Sequence, residues 1–223
     1  GMKVLLYVFS IALLIVGCGE SPYDSTKSTE SSKFIDLDDP EALDKIIAEA
    51  IDKDTLQLRG KEGEELHYAP NEQTPYTGWV KTMWGDGQVK TLVQKKDGKK
   101  DGLAISWHKN RQKKFSGNFK DGKRVGLAFG WYDNGQKGAE GNYKDGKEDG
   151  LWTEWYENGQ KSSEWNFKDG KEHGLCTEWF DNGQKFVEEN YKDGKLDGLM
   201  IGYNKDGTGG YRRTYKDGVR VED

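Results

Sequence analysis

A 24-residue unit is written six times between Gly78 and Asp223, with opening glycines at Gly78, Gly102, Gly126, Gly150, Gly174 and Gly198. A unit this short cannot enclose a core of its own. It must lean on the copy before and the copy after, which makes the array quasi-one-dimensional. The clearest copy runs Gly150-Leu-Trp-Thr-Glu-Trp-Tyr-Glu-Asn-Gly-Gln-Lys and continues to Asn166-Phe-Lys-Asp-Gly-Lys-Glu-His173.

Two turn signals punctuate every unit. One is Asp86-Gly87, Asn134-Gly135, Asn158-Gly159, Asn182-Gly183 and Asp206-Gly207, with Asn110-Arg111 the departure; the other is Asp-Gly starting at Asp97, Asp121, Asp145, Asp169, Asp193 and Asp217. Such dipeptides accept the positive φ of tight hairpin turns, and the runs between them are rich in Trp, Tyr, Phe and Thr. Each unit therefore reads as two antiparallel strands. The fold class is all-β: tandem β-hairpins in an elongated, twisted antiparallel sheet. Its twelve strands at about 4.8 Å spacing would span roughly 55–60 Å.

With a two-residue hairpin at both turns, Leu151, Thr153 and Trp155 share a face with Ser162, Glu164 and Asn166. Trp152, Glu154 and Tyr156 share the other with Lys161, Ser163 and Trp165. The first face then carries a row of Met83, Trp107, Trp131, Trp155, Trp179 and Tyr203. Small neighbours such as Gly138, Ser162 and Gly210 leave room for an indole beside them.

Composition fits a thin structure. Hydrophobic residues make up 33% of the chain and charged residues another 33%, too lean for a thick core. The net charge of -5 with interspersed signs provides no basic footprint for nucleic acid. The two cysteines, Cys18 and Cys176, are too few for a disulfide framework. All four prolines precede the repeats, so no strand of the array lacks a backbone N–H.

Gly1 ahead of Met2 reads as a cloning remnant. Lys3 followed by the apolar run Val4 to Val16 is too short to span a bilayer, which needs about 20 residues, and reads as an export signal over residues 1–17. Its end, Leu14-Ile15-Val16-Gly17-Cys18, resembles the lipobox of bacterial lipoproteins, which implies lipidation at Cys18 and an anchor in the outer membrane, since Gly19 is not an aspartate. An ordinary signal peptide with an incidental cysteine is the plainer alternative. Residues 18–33, rich in Ser, Thr and Glu, read as a disordered tether.

Residues 34–77 read as a cap. Asp38-Asp39-Pro40-Glu41 is a helix start, and Leu43, Ile46, Ile47, Ala50 and Ile51 recur on one face, predicting a helix over about 40–52. Its stripe must dock, and the open first edge of the sheet is the expected acceptor. Leu56–Arg59 and Glu65–Ala69 are short strands, and residues 70–75 a loop.

The Trp-Tyr pair, Glu-Asn-Gly-Gln-Lys, Tyr-Lys-Asp-Gly-Lys and Gly-Leu elements resemble the MORN-repeat variant proteins, a bacterial family carrying a YwqK-type "antitoxin" label. The resemblance covers residues 66–223. It implies stacked β-hairpins acting as an interaction scaffold, and an antitoxin-like role neutralising a toxin as an alternative.

No HExxH, P-loop, Gly-x-Ser-x-Gly or dinucleotide fingerprint occurs, and His67, His108 and His173 sit in unrelated contexts, so no catalytic role or cofactor is expected. Asp101, Asp149 and Asp197 near the Asp-Gly turns raise calcium, but a lysine intervenes and sister copies carry Val125 and His173, so no metal is expected. Cys176 reads as a packing residue. The candidate surface is Trp107, Trp131, Trp155, Trp179 and Tyr203, for a protein partner at the cell envelope or, alternatively, a glycan or peptidoglycan chain. Equivalent rings about 9.5–10 Å apart come near a disaccharide repeat. The plainer reading is that these aromatics only hold successive hairpins together.

Overall fold

The structure, a computed structural model, describes residues 39–221. The expected signal segment, Cys18 and the tether lie outside them. Helix α1 is Pro40–Glu49. The Asp39 side chain accepts the Glu41 N–H at 3.1 Å, and Pro40 occupies the first turn, where its missing N–H is harmless. The helix ends earlier than the periodicity predicts. Ala50 turns extended (φ -67°, ψ 133°), and Ile51–Asp52 becomes strand β1. Strands β2 (Gln57–Arg59) and β3 (Leu66–Tyr68) form a separate two-stranded sheet with Leu58 opposite His67.

The array follows as β4 (Gly78–Met83), β5 (Val89–Lys96), β6 (Lys99–Trp107), β7 (Lys113–Lys120), β8 (Lys123–Trp131), β9 (Lys137–Lys144), β10 (Lys147–Trp155) and β11 (Lys161–Lys168). It continues with β12 (Lys171–Glu172), β13 (Gly174–Trp179), β14 (Lys185–Lys192), β15 (Lys195–Leu196), β16 (Gly198–Tyr203), β17 (Gly209–Lys216) and β18 (Val219–Val221). Successive rails pair antiparallel, with β12 and β13 two pieces of one rail on β11 and β15 and β16 two pieces of one rail on β14. Strand β18 adds a rail beyond the twelve expected. The sheet is mixed rather than purely antiparallel, because β1 pairs parallel with β4, Ile51 opposite Val80.

The two turn signals produce different turns. At Asp145-Gly146 both residues have positive φ (52° and 87°), the two-residue hairpin expected. At Asn134-Gly135 only the glycine does (φ 84°). The Tyr132 N–H reaches the Gln136 carbonyl at 2.9 Å and the Gly135 N–H the Tyr132 carbonyl at 3.0 Å, a three-residue loop ending in a left-handed glycine. The extra residue is absorbed where Trp131 faces Lys137, and in the next copy where Trp155 faces Lys161. Beyond that step Thr153 faces Glu164, Leu151 faces Asn166 and Trp152 faces Trp165 as predicted, but the shift brings Lys161, expected on the face of Trp152, opposite Trp155.

The opening glycine lies inside a strand, not at its start. Between Glu148, paired with Tyr143, and Trp152, paired with Gly141, the register slips at Gly150 (φ 91°). The slip recurs in β6 and β8 and bends each strand once per copy.

Both rims are laced from copy to copy. On one, the Asn110, Asn134, Asn158 and Asn182 amides donate to the carbonyls of Asp133, Glu157, Asp181 and Lys205 at 2.5–3.0 Å. Beside them the Tyr132 and Tyr156 hydroxyls donate to the Trp155 and Trp179 carbonyls at 2.7 and 2.6 Å. On the other rim the N–H of Gly122, Gly146, Gly170, Gly194 and Gly218 reaches back to a carbonyl of the preceding copy at 2.7–2.9 Å. Gly98 does the same to Tyr76 at 2.8 Å, so the entry loop stands in for a missing earlier copy.

The core sits at the N-terminal end. Ile46 and Ala50 of α1 pack on Leu92, Ile105 and Trp107, with Leu43, Ile47, Trp79, Val89 and Leu103 around them. The Lys81 ammonium caps the Ile47 carbonyl at 2.7 Å. The helix therefore covers a face of the sheet, whereas the edge expected to receive it is taken by β1. The apolar stripe is better buried on a face, and the unpaired edge needs N–H and C=O groups that only a strand supplies.

Candidate interaction surface

The face that carries α1 also carries the predicted aromatic row. Its members fare differently. Trp107 is 6% exposed and lies under the helix, so it is withdrawn from the candidate surface. Trp131, Trp155, Trp179 and Tyr203 are half-buried and continue the row beyond α1. In the same strands, four residues before each ring, come Leu127, Leu151, Leu175 and Leu199, which are 51, 51, 45 and 39% exposed. Leu103, the same position one copy earlier, packs against the buried cluster. Phe186 (45% exposed) meets Phe180 at 5.0 Å between centroids, the contact that a side chain at the equivalent Gly138 would make with Tyr132. The leucine row was overlooked in the sequence, although the recurring Gly-Leu pair was its signal.

Charge on this face is neutralised locally. Lys137–Glu140, Lys161–Glu164 and Lys185–Glu188 pair at 2.6, 2.5 and 2.5 Å. The first two lysines also sit over the next copy's ring, Lys137 at 5.3 Å from the Trp155 centroid and Lys161 at 5.9 Å from Trp179. The Tyr203 hydroxyl donates to Glu188 at 2.5 Å, and this bond with that of Lys185 holds the Glu188 carboxyl below its ordinary range. What remains is a row of exposed leucines set between Asn142, Asn166 and Asn190, and a parallel row of half-buried rings, with the paired charges running between the two rows.

The opposite face is packed from small residues and rings. A methyl group added at Gly141 would overlap the Trp152 ring, and one at Gly138 would come 3.2 Å from Tyr132. The indole expected to cross the backbone at Gly138 or Ser162 thus belongs to Trp152 and crosses at Gly141. Cys176 is 1% exposed, and burial pushes its thiol well above the usual range, consistent with packing rather than nucleophilic chemistry. Among the described residues it forms, with Glu178 and Glu189, one convergent group of possible metal-ligand atoms, all within 4.8 Å. Asp101 and Asp197, considered for calcium, instead accept Lys120 and Lys216 at 2.9 Å and the turn N–H groups of Asp121 and Asp217. These bonds draw both carboxyls below their ordinary range.

A ribbon of β-hairpins, each bonded to the copies beside it and carrying an open leucine row on one face, defines a tandem-repeat scaffold. Two stretches of the array match a family: the MORN repeat variant family covers residues 148–169 and 172–193, two windows in the same register of successive copies. Comparison with curated proteins gave no match. Repeats of this class point to protein interaction.

Proposed function

We propose that the chain is an exported, lipid-anchored MORN-repeat protein that docks a protein partner on the helix-bearing face, along the band from Leu127 to Tyr203. The observation that carries this reading is the boundary at α1. Up to Trp107 the leucine and tryptophan rows are covered by a helix of the chain itself, and from Leu127 onward equivalent rows lie open. A row of exposed leucines in register is an apolar patch of the kind that marks interaction sites. Helix α1 shows that the leucine and tryptophan rows can seat an element with a Leu/Ile stripe. Leu92 and Ile105 beneath it give way to Glu164 and Thr153 two to three copies further on, so a partner of the later copies needs polar groups as well.

The protein reading is favoured over glycan stacking by the lysines. A sugar needs an open ring face, and Lys137 and Lys161 lie over Trp155 and Trp179. Lipidation at Cys18 would place the ribbon at the bacterial envelope, where the partner would be met.

Leu151→Glu with Leu175→Glu tests the surface, because both side chains are open and their loss leaves the rims intact. The variant should keep the wild-type melting temperature and lose the envelope proteins that wild type captures. Undiminished capture would remove the band from consideration. For the anchor, Cys18→Ser should move the protein from the membrane to the soluble fraction; a variant that still sediments with membranes would contradict it.

A further inference from the structure

The second residue after each Asp-Gly turn faces the aromatic that closes the same hairpin pair, on the side of the sheet away from α1. In the early copies this residue is a cation. Lys100 lies over the Phe119 ring at 5.0 Å. Arg124 lies over Tyr143 at 5.1 Å and Phe115 at 5.3 Å, and donates to the Tyr143 hydroxyl at 2.8 Å. A cation on a ring face is stabilised by the ring quadrupole, more so where water is partly excluded.

In the next two copies the same position is Glu148 and Glu172, while the closing rings, Phe167 and Tyr191, are retained. The sign of the partner is reversed and the aromatic is not. Glu148, Trp152, Glu154, Trp165, Phe167 and Glu172 line an open hollow of about 290 Å³. Its rings are held in place by one another: Trp152 edge-on to Tyr143 at 5.6 Å, and Trp165 against Phe167 at 6.5 Å and Tyr191 at 5.8 Å. The Trp152 indole N–H donates to Glu154 at 3.2 Å, which fixes that carboxylate beside the rings. The lysines that pair with glutamates at 140, 164 and 188 are on the other face.

We infer that this hollow is a binding site for an organic cation, an alkylammonium or guanidinium group supplied from outside the chain. The preceding copies hold the equivalent group internally, which shows where such a ligand's charge would lie: over the Phe167 ring, with Trp165 beside it and Glu148, Glu154 and Glu172 around it. Three indole and phenyl surfaces with three carboxylates suit a cation that carries apolar carbon, and discriminate against a bare metal ion, which gains nothing from the rings. Nearby, burial first and then the carboxylates of Glu189 and Glu154 raise the Glu178 carboxyl above its ordinary range. The site is distinct from the leucine band and stands or falls without it.

The test is titration of the full chain, read by tryptophan emission and calorimetry, with a lysine-containing tripeptide, its Nε-acetylated form, and spermidine. The lysine peptide or spermidine should bind, and the acetylated peptide should not. Binding by the peptide alone assigns the cation to a protein side chain, and binding by spermidine as well assigns it to the charge whatever carries it. Glu148→Arg supplies the internal cation of the earlier copies, so it should fold with an unchanged or higher melting temperature and bind at least about tenfold more weakly. Glu148→Gln with Glu172→Gln should weaken binding without filling the hollow. The inference is overturned if neither cation binds wild type, if the acetylated peptide binds equally, or if Glu148→Arg folds and retains wild-type affinity.

Discussion

At the scale of the residue, the array works by giving each motif position a task toward the next copy. Asn134 shows this best: its side-chain oxygen accepts the Gln136 N–H at 2.9 Å, shaping its own turn, while its amide bonds to Glu157 in the following one. Where a copy departs from the motif, a cost is expected. Arg111 occupies the left-handed position that glycine holds in sister loops (φ 69°). A non-glycine residue there is strained by about 1 kcal/mol, set against its one side-chain bond to Gln88 at 3.0 Å. Arg111→Gly should therefore raise stability by about 0.5–1 kcal/mol in urea denaturation; an unchanged or lower midpoint would mean the Gln88 bond outweighs the strain. Glu178 yields a pH-dependent expectation. Its carboxyl is raised above the ordinary 4.5, first by burial and then by Glu189 and Glu154, so it binds its proton more tightly folded than unfolded. Its contribution is fully present below about pH 4.5 and is lost as pH rises through the higher folded value. Glu178→Gln should accordingly stabilise the protein at pH 7 and give no advantage at pH 4. A gain that is the same at both pH values would assign it to something other than ionisation.

At the scale of the element, the hairpins were legible because turn chemistry and side-chain alternation are local. Asp145-Gly146 announces its turn, and the face shared by Leu151 and Thr153 follows from counting. What the sequence left open was set by contacts between elements. Asn134-Gly135 looks like a two-residue turn but takes a third residue, a choice settled by the Tyr132 bonds across it. Gly150 reads as punctuation, yet its positive φ places a bend within β10. Trp107 and Trp155 hold the same repeat position, and α1 packs on the first of them. The helix itself was legible from its cap and stripe, but its seat on the face was not, since that depends on β1 reaching the edge first. Ile46→Ala tests this packing. Loss of a buried side chain should cost about 2–3 kcal/mol locally. In a one-dimensional array the damage should be confined to α1, β1 and the first copies. Hydrogen exchange should accelerate there and remain unchanged from Lys147 to Lys192. Acceleration spread evenly over the array would contradict nearest-neighbour coupling.

At the scale of the whole molecule, the described ribbon has one end closed by its own helix and strand, and two faces that differ in chemistry. One presents leucine and indole over neutralised charge; the other changes along its length from rings covered by Lys100 and Arg124 to rings bordered by Glu148 and Glu172. The charge reversal is visible in the sequence as two substitutions at one repeat position, but only the fold shows which rings they border. The central claim is that the band uncovered by α1 receives a protein. Its most direct measurement is photocrosslinking in cells with p-benzoylphenylalanine placed at Leu127, Leu151, Leu175 and Leu199, and at Leu58 and Glu157 as exposed controls. The account predicts one discrete adduct of the same mass from successive band positions and none from the controls. Absence of adducts along the band, or adducts of equal yield at the controls, would contradict it.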